Sequence, residues 1–368
     1  MSLHSRKIEG YWRDNRLFSA LLELTYRCNL DCHFCYNDVG LRGEPLRREQ
    51  YFALLEELAR LGVLHLTLSG GEPLAHPDFF AIGGRARELG FVVRVKSNGH
   101  ALRGPVARRL RDEVDPYAVE VSLHGATAAT HERQTRVPGS FERLLANLAE
   151  LKGLGVRLQI NSTLTAWNES EIEGMFAIAD RLGVRLQFDP EVTPRDDGDF
   201  SPLAISASRE GLRRLFEIEE ERSRALAAAG TETDAPPTIV RQGDALAAPA
   251  PASGKFCGAG SSNLCVDPYG NVYPCVQWRR PVGNLHRATV AEIWAGSLGL
   301  AEVRELEKEI ARRLVGEEPH LLGFCPGQAE LATGDAGEVY AAARDRRALL
   351  REVMAERGQR RSRLPVVG

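Results

Sequence analysis

Long hydrophobic runs are missing from this 368-residue chain. No stretch approaches the roughly 18 consecutive apolar residues of a membrane helix. Met1 to Arg16 carries charges throughout and lacks a signal peptide's apolar core. These absences lead to the expectation of a cytoplasmic protein with no membrane partner. A surplus of charge is missing as well. The formal net charge of -3 argues against a nucleic-acid surface as the main business of the chain. Internal repeats are absent. An even cysteine count is also absent: the seven cysteines suit no simple disulfide framework. Three fall between Cys28 and Cys35 and four between Cys257 and Cys325. Clustered thiols in a reducing compartment point to metal.

The first half of the chain alternates between short apolar runs and amphipathic stretches. Ser19–Thr25, Leu64–Ser69, Phe91–Lys96, Ala118–Leu123, Val156–Thr163 and Val184–Phe188 have the length and aliphatic content of buried strands. Tyr51, Leu54, Leu55, Leu58 and Leu61 make one helical stripe; Phe141, Leu144, Leu145, Leu148 and Leu151 make another. Asn168 followed by Glu171 reads as a helix start with reciprocal capping. Six strand–helix alternations predict an α/β fold, a partial (β/α)6 barrel of TIM type, with chemistry at the C-terminal strand ends. The expected organisation is an arm over 1–18, the barrel over 19–224, and a Pro/Ala-rich linker or mobile loop over 225–256. A small cysteine-bearing module with a β-hairpin and helix follows over 257–330, then a helical tail over 331–368.

Directly after the first strand stands Cys28-Asn-Leu-Asp-Cys32-His-Phe34-Cys35. Three thiolates in so tight a loop leave one iron of a four-iron cube open, unlike the four-cysteine ligation of electron-transfer clusters. A structural zinc site is the alternative, and it usually requires four ligands. His33, locked between two cysteines, reads as a loop residue. After the second strand come Gly70-Gly71-Glu72-Pro73, after the third Ser97-Asn98-Gly99, and at the end of the fourth Ser122-Leu-His124-Gly. Singly, these are turns and strand ends, and His124 reads as a solvated loop residue.

In this order, on successive strand ends, the motifs resemble those of the radical SAM superfamily over about residues 20–190. The resemblance implies a SAM-binding [4Fe–4S] cluster on Cys28, Cys32 and Cys35, with Phe34 as the aromatic before the last cysteine. It implies S-adenosylmethionine held by Gly70, Gly71, Glu72, Pro73, Ser97, Asn98 and Ser122. Glu72 would meet the methionyl ammonium, a polar side chain of Ser97-Asn98-Gly99 the ribose, and Ser122 the ribose or carboxylate. The chemistry implied is reductive SAM cleavage to a 5′-deoxyadenosyl radical that takes a hydrogen atom from substrate.

The turn signal Asp267-Pro-Tyr-Gly270, flanked by apolar residues, predicts a hairpin over Leu264–Pro274 that brings Cys265 towards Cys275. Cys257, Gly270-x4-Cys275 and a distant Cys325 resemble the SPASM module or its shorter twitch form. With four cysteines left, one auxiliary [4Fe–4S] cluster on Cys257, Cys265, Cys275 and Cys325 is expected. A buried strand cysteine is the other reading of Cys265.

For the substrate, the resemblance implies modification of a ribosomally made peptide, by crosslinking, epimerisation or related chemistry. The arm over 1–18 is short for a leader-recognition domain, so a separate leader-peptide-recognition protein is a candidate partner. A reductant such as flavodoxin or ferredoxin is another. Oxidation of a small molecule or cofactor-pathway intermediate is the alternative. It calls on a general base, for which Asp189 and Glu191 after the sixth strand are candidates, although both also suit loop carboxylates paired with Arg195. An iron–sulfur electron carrier is the non-enzymatic alternative, and it gives Gly70–Pro73 nothing to do.

Overall fold

The computed structural model describes residues 3–228, 254–317 and 324–362. Helix α1 (Leu3–Arg13) precedes a run of strand–helix units. Strand β1 (Ser19–Glu23) leads through the cysteine loop to α2 (Arg48–Arg60), β2 (His65–Ser69) to α3 (Phe79–Glu88), and β3 (Val92–Ser97) to α4 (Gly104–Arg109). Strand β4 (Ala118–Ser122) leads to α5 (Ala128–Thr135) and α6 (Ser140–Gly153), β5 (Leu158–Thr163) to α7 (Ile172–Leu182), and β6 (Arg185–Asp189) to α8 (Arg209–Ala228). Then come β7 (Asn263–Val266), β8 (Asn271–Tyr273), β9 (Gly283–Asn284), α9 (Val290–Gly296), α10 (Leu298–Glu317), α11 (Pro326–Thr333) and α12 (Ala341–Ser362). Most of the expected 225–256 linker lies outside the described residues; its first residues belong to α8.

Strands β1 to β6 pair in sequence order and in parallel, the partial six-stranded barrel that the alternation predicts. Apolar side chains at alternate positions carry the outer face: Leu22, Leu66, Leu68, Val93, Val95, Val119, Val121, Ile160 and Leu186 are buried under the helices. The α2 stripe of Tyr51, Leu54, Leu55 and Leu58 is buried with them. The other face of the same strands is polar. Arg94 and Lys96 of β3, Glu120 of β4, Asn161 of β5 and Gln187 of β6 line the lumen, and the uniformly apolar strand reading missed this alternation. Glu120 accepts from Arg94 Nη1 (2.9 Å) and Asn161 Nδ2 (2.9 Å) and pairs with Lys96 Nζ (3.3 Å).

The expected hairpin forms, with Gly270 N donating to Asp267 O (3.1 Å) across the turn. It is not a sheet of its own. Strand β7 pairs in parallel with β1, Leu21 opposite Cys265, so β7–β9 extend the barrel sheet to nine strands in the order β6-β5-β4-β3-β2-β1-β7-β8-β9. A second, smaller core, including Trp278, Val303, Ile310, Phe324 and Tyr340, packs beside Cys257 and Cys275. The buried amine of Lys255 ties this region to the chain start, donating to Trp12 O (2.7 Å) and Ser261 Oγ (2.9 Å).

The Asn168–Glu171 capping box does not form. Glu171 caps the neighbouring α5, accepting from Ala126 N (2.6 Å), Thr127 N (3.1 Å), Thr127 Oγ1 (2.8 Å) and Thr130 Oγ1 (2.6 Å). Asn168 pins loops by donating to Thr163 O (3.0 Å) and His124 O (3.3 Å). The tail helix packs on α8 through Arg209 and Arg213 with Glu352 and Glu356.

Candidate functional site

The β1 end, the β2 end and the cysteine loop are locked together by backbone. Gly71 N donates to Thr25 O (2.7 Å) and Glu72 N to Arg27 O (2.8 Å). Gly70 has φ +135°, and any Cβ there would press on the Thr25 carbonyl; a Cβ on Gly71 would meet the Tyr26 and Arg27 carbonyls. The close approach that these two glycines permit is therefore made to the cysteine loop itself. Asn37, buried two residues past Cys35, donates to Gly70 O (3.2 Å) and ties the far end of that loop to the same turn. The sequence reading missed Asn37, and nothing local marks it. Pro73 opens a short 3-10 turn, Pro73–Ala75.

Glu72 is almost wholly buried and accepts from Ser97 Oγ (2.9 Å), Asn98 N (2.8 Å) and Leu74 N (3.2 Å). Burial, opposed by these donors, pushes its carboxyl up to about 7. Three of roughly four acceptor positions on the carboxylate are thus filled from within the chain. Asn98 donates through Nδ2 to Asn29 Oδ1 (2.8 Å) and towards Cys28 Sγ (3.6 Å), so it reaches the cysteine loop rather than standing free. Ser97 is turned to Glu72. Ser122 stands at the β4 end opposite Asn161 of β5.

His124 is buried, which corrects the solvated reading. Its ring meets Phe34 edge-on (4.7 Å between centroids) and stacks with His131 (6.1 Å). Burial holds His124 down to about 3 and His131 to about 4, so both rings are neutral. His33 faces Arg136 Nη2 (2.7 Å) and the Trp167 ring.

The seven thiols gather in two groups. Burial pushes every one of them up. Within the first group, charge repulsion adds to this, Cys28 and Cys35 acting on Cys32 and Cys28 on Cys35; within the second, Cys275 acts on Cys257, Cys265 and Cys325. Thiols whose ionisation is opposed in this way fit a group that brings positive charge to them, as an iron–sulfur cluster would. Among the described residues, no three His, Cys, Asp or Glu side chains meet at single-ion spacing. Cys325 is the N-cap of α11. Gly327 seats that helix against the Cys275 turn, because a Cβ there would strike the Gln277 carbonyl and Trp278. Glu307, fully buried, accepts from Cys257 N (2.7 Å) and lies 3.3 Å from its sulfur.

Asp189 lies exposed at the β6 end and accepts from Glu191 N (3.1 Å). Glu191 pairs with Arg346 (2.9 Å) and accepts from the Tyr340 hydroxyl (3.1 Å) in the wall of a recess of about 460 Å³ between the β6 loop and α12. The expected partner, Arg195, is taken by Asp199 (3.4 Å).

A family model described as the radical SAM superfamily matches residues 22–179, and one described as an iron–sulfur cluster-binding domain, SPASM, matches 257–315. An AdoMet-dependent heme synthase of Methanosarcina barkeri is 30% identical over 326 residues, 85% of this chain and 92% of that protein. A PqqA peptide cyclase of Ruegeria pomeroyi is 32% identical over 163 residues, spanning 44% of this chain and only 43% of its own length. Among solved structures, native anSMEcpe with bound AdoMet and Cp18Cys peptide superposes with a TM-score of 0.67 at 17% identity, covering 93% of this chain and 98% of that one. At that identity the likeness concerns the fold. No helix among the described residues is long and apolar enough to cross a membrane.

Proposed function

The chain belongs to the radical SAM superfamily and carries a SPASM domain, and from that premise we propose which residues hold its cofactors and what it acts on. Cys28, Cys32 and Cys35 bind the SAM-binding [4Fe–4S] cluster, and Cys257, Cys265, Cys275 and Cys325 bind one auxiliary cluster. When bound, the first cluster and SAM supply a 5′-deoxyadenosyl radical that removes a hydrogen atom from the substrate. The chain's own work is positioning. Gly70 and Gly71 fix the SAM-side turn on the cysteine loop, and Glu72 fastens the β2 end to the β3 end. Asn98 holds the Cys28 side of the loop, and Ser122 offers a hydroxyl at the lumen wall. Phe34 and the neutral His124 fill the space behind the loop and keep it dry.

The substrate reading with most support is a heme-pathway intermediate. One observation carries it: similarity to the heme synthase runs through barrel and auxiliary region alike, across 85% of this chain. The polar lumen, where Arg94 and Lys96 share the one carboxylate of Glu120 and leave a local positive charge in excess, suits a substrate bearing carboxylates. Peptide modification, with or without a separate leader-recognition protein, is the second reading, favoured by the peptide-cyclase similarity, which spans 44% of this chain.

The test is anaerobic turnover with SAM and a reduced flavodoxin or ferredoxin, with 5′-deoxyadenosine measured against substrate consumed. Iron porphyrins carrying carboxylate side chains and a panel of peptides are compared. Stoichiometric coupling to a porphyrin is expected. Coupling to a peptide alone overturns the heme reading in favour of the second. Absence of any SAM cleavage overturns the cofactor assignment.

A further inference from the structure

Arg279 is a buried cation that the SAM-side geometry leaves unexplained. Its side chain is 12% exposed and lies against Glu23, which is fully buried. A charge this deep is tolerated only with close and well-directed partners, and Arg279 draws them from distant segments. Nη1 and Nη2 both reach the Glu23 carboxylate (2.9 and 2.7 Å), on the last residue of β1, five residues before Cys28. Nε meets Asp196 (2.8 Å) in the loop after β6. The Asp196 backbone N–H in turn donates to the carbonyl of Tyr36 (2.8 Å), the residue after Cys35. On its other side, Arg279 Nη1 donates to Cys265 Sγ (3.8 Å) and the guanidinium lies over the Tyr273 ring (5.2 Å). Leu21 pairs with Cys265 across the β1–β7 ladder, so Glu23 and Cys265 emerge on the same lumen-side face. The one guanidinium therefore stands between the two cysteine groups and touches residues of both neighbourhoods.

A guanidinium keeps its charge at every accessible pH, and it donates to a sulfur that the reading above makes a ligand of the auxiliary cluster. Hydrogen bonds to ligand sulfurs and the net charge nearby are the main protein levers on a cluster's reduction potential. A reduced cluster carries one more negative charge than an oxidised one, so a fixed cation stabilises the reduced form. We propose that Arg279 is a positioning residue that raises the reduction potential of the auxiliary cluster above that of the SAM-binding cluster. This gives the auxiliary site the character of an electron acceptor and leaves the lower-potential electron for SAM cleavage. Glu23 opposes it, holding the guanidinium in place while placing a negative charge on the same face.

The inference rests on the four-cysteine reading of the auxiliary site, and the experiment separates the two. Iron and sulfide are counted in wild-type holoenzyme, Arg279→Gln, Arg279→Lys and Glu23→Gln. The cluster midpoints are then followed by EPR-monitored redox titration without SAM. About eight irons and two reducible signals are expected, two cubes of four. In Arg279→Gln the auxiliary midpoint should move negative by at least a tenfold change in the reduction equilibrium, about 59 mV for one electron. The SAM-binding midpoint should move less, and Arg279→Lys should recover most of the change. Glu23→Gln should move the auxiliary midpoint in the positive direction, which keeps the proposal testable if Arg279→Gln does not fold. Four irons and a single signal overturn the auxiliary-cluster reading and the inference with it. Two clusters with an unmoved auxiliary midpoint, equal movement of both, or a lysine variant matching the glutamine variant overturn the role of Arg279 alone.

Discussion

Replacing Glu72 by glutamine should remove a pH dependence that the buried carboxylate builds into folding stability. Glu72 is 2% exposed, and burial pushes its carboxyl from the ordinary 4.5 up to about 7. Below pH 4.5 the group is protonated whether the chain is folded or not. As pH rises from 4.5 towards 7, the unfolded chain releases a proton that the folded chain retains, so stability is lost across that window and levels off above it. The gap corresponds to on the order of 3 kcal/mol. The glutamine variant starts lower, because its amide turns a donor towards one of the donors Asn98 N, Ser97 Oγ and Leu74 N and leaves it unmet, at about 1–3 kcal/mol. Urea unfolding of cluster-free protein at pH 4.5 and pH 8 measures both quantities. The wild-type advantage over Glu72→Gln should shrink by about 3 kcal/mol from the acid to the alkaline condition. A constant advantage, or one that grows with pH, refutes the argument that desolvation dominates at this carboxylate.

Gly327→Ala should drive a methyl into the Gln277 carbonyl and push α11 off the Cys275 turn, costing about 1–3 kcal/mol; auxiliary iron content and Tm should both fall, and unchanged values contradict the seating role. Asn98→Ala should keep its iron but bind SAM roughly tenfold more weakly, about 1.4 kcal/mol, by equilibrium dialysis; full affinity would show that the link to Cys28 and Asn29 is dispensable. Glu171→Ala leaves the Ala126 and Thr127 amides, just ahead of α5, without their carboxylate and should lose about 1–3 kcal/mol in denaturant unfolding; a loss below about 0.5 kcal/mol, the spread of ordinary surface substitutions, would show that water replaces the cap.

What the sequence made legible was local. Apolar runs located all six barrel strands to within a residue or two at most ends, since β1 to β6 each bury an aliphatic row under helices. The Asp267–Gly270 turn announced its hairpin because a turn's chemistry sits in four consecutive residues. What stayed hidden depends on residues far apart. Arg279 and Glu23 are separated by 256 positions, and Glu191 finds Arg346 at a separation of 155, although Arg195 is four residues away. Glu171 has the spacing of a reciprocal cap, yet it serves α5, two helices before its own, because the β4 loop brings Ala126 and Thr127 against it. His124 reads as solvated beside Gly125, and only the fold reveals Phe34 and His131 closing over it. The lumen residues were visible in principle, as polar letters at every second position of β3 to β6. They were overlooked because the apolar letters between them already explained the strands.

The ladder between β1 and β7 has one further consequence. Cys265 lies in a strand hydrogen-bonded to the strand that runs into the Cys28 loop, so under the proposed ligand assignment the spacing of the two iron sites is set by the pitch of a β-sheet. Two domains that dock across a surface can drift apart, and electron tunnelling between them would flicker with every excursion. Here the distance is as stiff as the barrel wall, and changing it would require breaking the sheet.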